Sequence, residues 1–264
     1  VSVVTGIVGT GLIGASIGLR ARANGDMVLG ADRSGDALRV AREREAIDEA
    51  VPIDDMLERA DRIVVAAPVS QCIAVLSSLS GRTLRAQLVL DVASVKMPVI
   101  LAAADVLSFV GTHPMAGSEH SGPAAARADL FAGKTWAYVS VKSAAVNARA
   151  VAFIESMGAL AFEVDAEAHD RAVALSSHVP QLFATLFSQR VASRRGEIAQ
   201  LRGPVARELL RLGHSDYSVW KDVLDANAKN IVPELQALVR ALEAAVRDLQ
   251  TRDFDTIEEA FKAR

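Results

Sequence analysis

The chain opens with a short β-branched run, VSVVTGIVG, which leads straight into Gly9-Thr10-Gly11-Leu12-Ile13-Gly14 and then into residues at helical spacing, LIGASIGLRARANG. Few folds place glycines this way between a strand and a helix. The first glycine permits a tight turn, the second lets backbone approach a bound group, and the third lets helix pack on strand. The helix that follows offers unpaired N–H groups and the positive end of its dipole, a setting suited to phosphate. The next strand-like run, MVLGAD, ends on Asp32, where a carboxylate can accept hydrogen bonds from ribose hydroxyls and would repel a 2′-phosphate. NAD is therefore the expected cofactor, while Arg33 and Ser34 beside the acid leave NADP open. The candidate cofactor residues are Gly9, Gly11, Leu12, Ile13, Gly14, Asp32, Arg33 and, after the third strand, Pro68.

The pattern of the first part continues to alternate. SGDALRVAREREA reads as a helix capped by Ser34, RIVVAAP as a buried strand, SQCIAVLSSL as a helix, QLVLDVAS as a strand and KMPVILAAA as a helix start. LSFVGTHP and TWAYVSV read as further strands. Strands separated by helices predict βαβ units and a parallel sheet covered on both faces. The pattern changes near Val164: beyond it the spacing is helical throughout, broken at Gly203-Pro204 and Gly213. The expected architecture is α/β: an N-terminal Rossmann-type doubly wound sheet over residues 1–164, then an all-α domain over 165–264.

Composition narrows the function. The chain has 264 residues, 51% of them hydrophobic, and a net charge of −3, with no basic run to suit nucleic acid or an anionic membrane. The longest apolar runs fall far short of the ~20 residues of a membrane span, and no signal peptide is apparent. Cys72 is the only cysteine, so no intrachain disulfide can form, which fits a reducing cytoplasm; on its helix it reads as a small buried hydrophobe. No metal-ligand spacing is evident.

Groups that serve a cofactor bound across such a sheet lie at the carboxyl ends of the strands. Ser94, in DVASVK, and His113, in GTHPMAGSEH, follow the fourth and fifth strands of this reading. Removing hydride from a carbon that bears a hydroxyl needs a base for the hydroxyl proton, and histidine suits that role at neutral pH. A serine within reach could hydrogen-bond the imidazole or the substrate oxygen. On this reading His113 leaves the strand on a stiff, glycine-punctuated loop.

GTGLIGAS, DVASVK, GTHPMAGSEHSG, DAEAHDRAVALSSHVP and HSDYSVWKDVLDAN, in this order, resemble the prephenate/arogenate dehydrogenases of tyrosine biosynthesis, with HPMAGSE and SHVP the most specific. The resemblance implies a cyclohexadienyl substrate, arogenate or prephenate, whose C4 hydride passes to the nicotinamide as the ring carboxylate leaves as CO2. It implies His113 as the base for the C4 hydroxyl and Ser94 as the residue that orients His113 and the substrate oxygen. It places His178 at the active site and Arg211 on a substrate carboxylate; Ser118 and Glu119 read as part of the substrate loop, with a helix cap as the alternative for Glu119, and His214, close to Arg211, reads as a second anion contact. An Arg fork suits a carboxylate. His120 and His169 are expected at the surface, and Trp220 in the core.

Many family members read SHLPH where this chain reads SHVPQ, so Gln181 stands near the substrate side chain. A neutral Gln is less hostile to an ammonium than a protonated His, which favours arogenate or dual use. The helical part is Ala/Leu/Val-rich on recurring faces, as in ELQALVRALEAAV; the resemblance implies a homodimer formed mainly through these helices, the alternative being that they only close over the Rossmann half. The sequence runs to Arg264, soon after the helical part, so neither a chorismate mutase domain nor a C-terminal regulatory domain of ~70 residues or more is expected, and any feedback is expected through tyrosine as a competitive inhibitor. Two other readings stay open at this point. One is a small reductase of the β-hydroxyacid dehydrogenase or pyrroline-carboxylate reductase type, against which HPMAG argues; the other is a non-catalytic dinucleotide-binding regulator.

Overall fold

The computed structural model describes residues 2–118, 120–194, 200 and 203–263. The chain forms two compact units, Val1–Asp170 with Ser215–Ala226, and Arg171–His214 with Asn227–Arg264.

The first unit carries a six-stranded parallel sheet of order β3-β2-β1-β4-β5-β6. Its strands are β1 (Val4–Val8), β2 (Met27–Ala31), β3 (Glu49–Ala50), β4 (Arg62–Val65), β5 (Leu88–Asp91) and β6 (Phe109–Val110). They alternate with α1 (Leu12–Ala23), α2 (Gly35–Glu43), α3 (Ile53–Arg59), α4 (Val69–Leu79) and α5 (Met97–Ala102). Side chains divide between two cores because alternate residues of a strand point to opposite faces. Ile7, Val64 and Leu90 enter one core with Trp136 and Phe153, while Val8, Val65 and Val89 enter the other with Leu76 and Phe109. Covered on both faces, the central strands are apolar for most of their length; β5 reads LVLD with all four residues buried, its closing Asp91 paired with Lys96. Ser34 caps α2 as expected, accepting a hydrogen bond from the Ala37 amide at 3.2 Å.

A second sheet, of order β7-β8-β9, is built from β7 (Thr112–Pro114), β8 (Thr135–Tyr138) and β9 (Leu160–Glu163), with α6 (Ala144–Ser156) between the last two. β7 runs antiparallel to β8 and β9 parallel to it. The single strand read as LSFVGTHP is thus two, split at Gly111: β6 completes the parallel sheet and β7 starts the second one. At Gly111 an added Cβ would lie 3.0 Å from the Ile100 side chain, so the chain passes between sheets where it is closely packed.

Beyond α7 (Ala166–Val173) the second unit continues with a π-helical turn, Ala174–His178, then α8 (Val179–Ala192), α9 (Pro204–Leu212), α11 (Ala228–Thr251) and α12 (Asp255–Lys262). Pro180 in the first turn of α8 has no N–H for a regular helical bond, and widening the preceding turn accommodates it. At Gly213 an added Cβ would come within 2.0 Å of the Ser188 Oγ, so the end of α9 closes tightly on α8. The intervening helix α10 (Tyr217–Ala226) belongs to the first unit, where it packs against α4 and buries Val223. Trp220 packs on the same core, as expected. Among the described residues no helix is long and apolar enough to cross a membrane.

Candidate active site

The glycine loop follows its expected logic residue by residue. Gly9 has φ +95°, and an added Cβ there would meet the Ala66 carbonyl oxygen at 2.4 Å. At Gly14 it would lie 1.9 Å from the Gly9 carbonyl oxygen, so α1 seats directly on the turn. Gly11 is different: a Cβ there would meet nothing within 4 Å, and Gly11 brings no side chain to cap α1. The helix therefore presents its first amides to open space, and Leu12 and Ile13 supply its first turn. Asp32 closes the loop from β2, accepting from the Thr10 amide at 2.7 Å and the Ser34 amide at 2.8 Å. Arg33 is exposed beside it, and Pro68 is exposed at the N-terminus of α4. These residues fit a dinucleotide: an open glycine, an uncapped helix end and a half-buried acid at the tip of the next strand. Ser70, in the first turn of α4, donates from its amide to Asp222 of α10 at 3.2 Å.

Cys72 lies buried on α4, where burial pushes its thiol up to about 12, so it is inert as a nucleophile.

Past the rim of the sheet lie Ser94 and His113. Ser94 is half-buried on the β5–α5 loop. His113 is the central residue of β7, paired with Ala137 of β8, and is not on a loop as the sequence led one to expect. Strand pairing, rather than the Pro-Met-Ala-Gly turn, sets its direction. A buried network lies beneath it. Lys96 Nζ pairs with Asp91 and also donates to the Thr112 carbonyl. The Thr112 amide donates to Asp91 Oδ1 at 2.9 Å, and Trp136 Nε1 donates to the Thr112 hydroxyl at 2.9 Å.

His169 is buried, not at the surface as expected: it is 4% exposed. Its Nε2 lies 2.9 Å from His113 Nδ1, and its Nδ1 lies 2.9 Å from Asp170 Oδ1. His113 Nδ1 thus shares a hydrogen bond with His169. Asp170 also accepts from the Lys96 amide at 2.7 Å and the Met97 amide at 2.9 Å. Burial works to raise its pKa but is outweighed by the hydrogen bonds from His169 and these two amides, which hold the carboxyl below the ordinary carboxylate value. Sequence reasoning missed this pair. The signal lay in the adjacent His-Asp of DAEAHDRAV, an imidazole and a carboxylate next to each other in the chain.

Ser118 is exposed and accepts from the His120 amide at 3.1 Å. With Met115, Gly117, His120, Arg127 and Lys134 it lines a cavity of about 560 Å³ in the first unit. Glu119 lies outside the described residues.

The remaining candidates belong to the second unit. His178 is 1% exposed, and the Asn227 side-chain amide donates to its Nδ1 at 3.1 Å. Asn227 in turn accepts from Asn230 at 2.7 Å, which fixes its amide orientation and leaves the His178 proton on Nε2. Gln181 donates to the Leu212 carbonyl at 2.7 Å, tying the start of α8 to the end of α9, next to Arg211. Arg211 forks Glu208 on its own helix, at 2.7 and 3.1 Å. His214 is exposed and its Nδ1 bonds the Leu210 carbonyl. Among the described residues no group of three or more His, Cys, Asp or Glu is placed to hold a metal.

Two sequence models of known families match the chain: "Prephenate dehydrogenase, nucleotide-binding domain" over residues 16–160 and "Prephenate dehydrogenase, dimerization domain" over residues 165–263. The chain is 38% identical over 252 residues to a probable prephenate dehydrogenase, NovF, of Streptomyces niveus, covering 92% of this chain and 68% of the relative. It is 28% identical over 267 residues to a prephenate dehydrogenase of Lactococcus lactis, covering 97% and 74% of the two chains. Its fold matches the crystal structure of an A. aeolicus prephenate dehydrogenase in complex with hydroxyphenyl propionate and NAD+, with a TM-score of 0.81 at 22% identity, over 98% of this chain and 96% of that one. With both domains matched in order along one chain, the protein belongs to the prephenate dehydrogenase family and is an oxidoreductase built from a nucleotide-binding domain and a dimerisation domain.

Proposed function

We propose that this enzyme oxidatively decarboxylates arogenate, prephenate or both, using NAD. The observation that carries the reading is His113, fixed on a strand just past the rim of a sheet whose opposite half presents the open glycine loop. NAD, when bound, accepts the hydride from C4 of the cyclohexadienyl ring. The backbone of Gly11, Leu12 and Ile13 holds its diphosphate and Asp32 its adenosine ribose, with Gly9 and Gly14 shaping the turn and Pro68 and Arg33 at its borders. Asp32 favours NAD over NADP.

The residues of the chain then do three things. His113 takes the proton of the C4 hydroxyl as the hydride leaves. Ser94 hydrogen-bonds the same oxygen. Arg211, once released from Glu208, grips a substrate carboxylate, with His178 donating through Nε2–H and His214 and Ser118 as further polar contacts. The ring carboxylate departs as CO2, its bonding electrons complete the aromatic ring, and the process is effectively irreversible. Gln181, with a carbonyl oxygen able to accept from an ammonium, favours arogenate or both substrates. Tyrosine, the product formed from arogenate, competes at this site.

The enzyme works as a homodimer in the cytoplasm. The face of α11 bearing Val239, Leu242, Val246 and Leu249, all exposed in the single chain, supplies the contact.

The test is the formation of reduced nicotinamide, offering arogenate and prephenate separately with NAD and with NADP. Turnover with either substrate supports the reading, and the four rates set both preferences. Cofactor binding without turnover in any combination overturns it.

A further inference from the structure

We propose that His169 and Asp170 form a relay behind His113 that fixes its tautomer and stabilises its protonated state, so that both are positioning residues for the proposed base. The inference rests on the reading of His113 as that base.

The assignment follows from which groups can donate. The Lys96 and Met97 amides can only donate, and both point at Asp170, at 2.7 and 2.9 Å. Asp170 is therefore an acceptor on both oxygens, and His169 Nδ1, 2.9 Å from its Oδ1, must carry a proton. In a neutral His169 the lone pair then sits on Nε2. That nitrogen lies 2.9 Å from His113 Nδ1, so His113 donates from Nδ1 and its basic nitrogen is Nε2. The two rings are inclined at 70° with centroids 5.1 Å apart, which is compatible with a hydrogen bond between their nitrogen-bearing edges.

When Nε2 takes the hydroxyl proton, His113 becomes an imidazolium. Its Nδ1–H bond to His169 then becomes charge-assisted, and His169 is polarised against the carboxylate behind it. Asp170 is 1% and His169 4% exposed, so water screens this interaction little. Among the described residues, Lys96 and Asp91 are the other charged groups bonded to the strand beneath His113. They neutralise each other, and the Lys96 ammonium is committed to Asp91 and the Thr112 carbonyl, reaching Asp170 only through its backbone amide. The favourable charge for a protonated His113 on this side of the ring is therefore Asp170, delivered through His169. This logic parallels an acid that orients a catalytic histidine, with a second imidazole interposed.

The experiment compares wild type, His169→Phe and His113→Asn. Relay loss is expected to lower kcat roughly 10–10²-fold, less than loss of the base itself, with KM for substrate and for NAD within about twofold. Because the relay stabilises the protonated ring, it raises the His113 pKa. Its removal should move the acid limb of the kcat/KM profile to lower pH, by about one unit. A residue that merely packs would change stability or KM and leave that limb in place. An unchanged kcat and unmoved limb in His169→Phe, alongside an inactive His113→Asn, overturns the relay alone; full turnover in His113→Asn overturns the parent reading. Should His169→Phe fail to fold, 15N NMR of histidine-labelled wild type decides the matter. His113 and His169 are both expected to carry their proton on Nδ1, and an Nε2–H tautomer at His113 overturns the proposal.

Discussion

Lys96 is buried to within 1% of full enclosure and pairs with Asp91, buried completely, across the short loop that carries Ser94. The pair ties the end of β5 to the carbonyl of Thr112, the residue before His113. A buried ion pair adds little net stability, but removing one partner leaves an uncompensated charge. Lys96→Met should cost about 3–5 kcal/mol by urea denaturation and lower kcat by loosening β7. A midpoint within error of wild type would mean the pair is not held as described.

His113→Asn should keep cofactor affinity, measured by calorimetry, and lose turnover by roughly 10²–10⁴-fold. Unchanged turnover would return His113 to an ordinary strand residue.

Arg211 is held by Glu208, whose carboxyl the Arg211 hydrogen bond keeps below its usual range. On the proposed reading, a substrate carboxylate displaces Glu208 from Arg211. Arg211→Ala should raise KM far more than it lowers kcat, while Glu208→Gln should lower KM a few-fold by removing the competitor. Opposite signs in the two variants are the diagnostic; an unmoved KM in Arg211→Ala leaves that residue as a solvated helix arginine.

Asp170 gives an acid signature. Its folded pKa lies below the unfolded value of about 3.9, so its contribution to stability is complete above that value and is lost as pH falls through the folded one. Thermal midpoints of wild type and Asp170→Asn should differ most near neutral pH and converge as pH falls below about 4. A constant gap would assign the loss to packing alone.

Leu242→Glu places a charge in the middle of the exposed apolar face of α11. Sedimentation should find the variant shifted to monomer. A dimer of unchanged strength would locate the contact elsewhere on the helical unit.

The parallel sheet was legible because its determinants are local. β-branched runs, glycine punctuation and the Ser34 cap each act within a few residues, and the glycine loop carries its own geometry. Less legible was everything set by distant pairing. Gly111 splits LSFVGTHP into strands of two sheets because β8, more than twenty residues on, captures Thr112–Pro114. β3 has only two residues and β9 exposes Leu160 and Phe162, so neither shows the burial pattern by which a strand is read. His169 looked like a surface residue because its helix is polar in sequence, with Glu167, Asp170 and Arg171 around it. It is held by His113, more than fifty residues earlier, and by the neighbouring Asp170, which the Lys96 and Met97 amides fix in turn.

The path of the chain has a consequence for how the gene can be cut. It passes from one unit to the other after Asp170, returns after His214, and leaves again after Ala226. A fragment ending at Val164 would lack α10, baring the surface that Val223 and Trp220 cover and leaving Ser70 without Asp222. No single stop codon yields the whole nucleotide-binding unit. To graft that unit onto another partner, or express it alone, the segment 215–226 has to travel with it as a second, separately encoded piece.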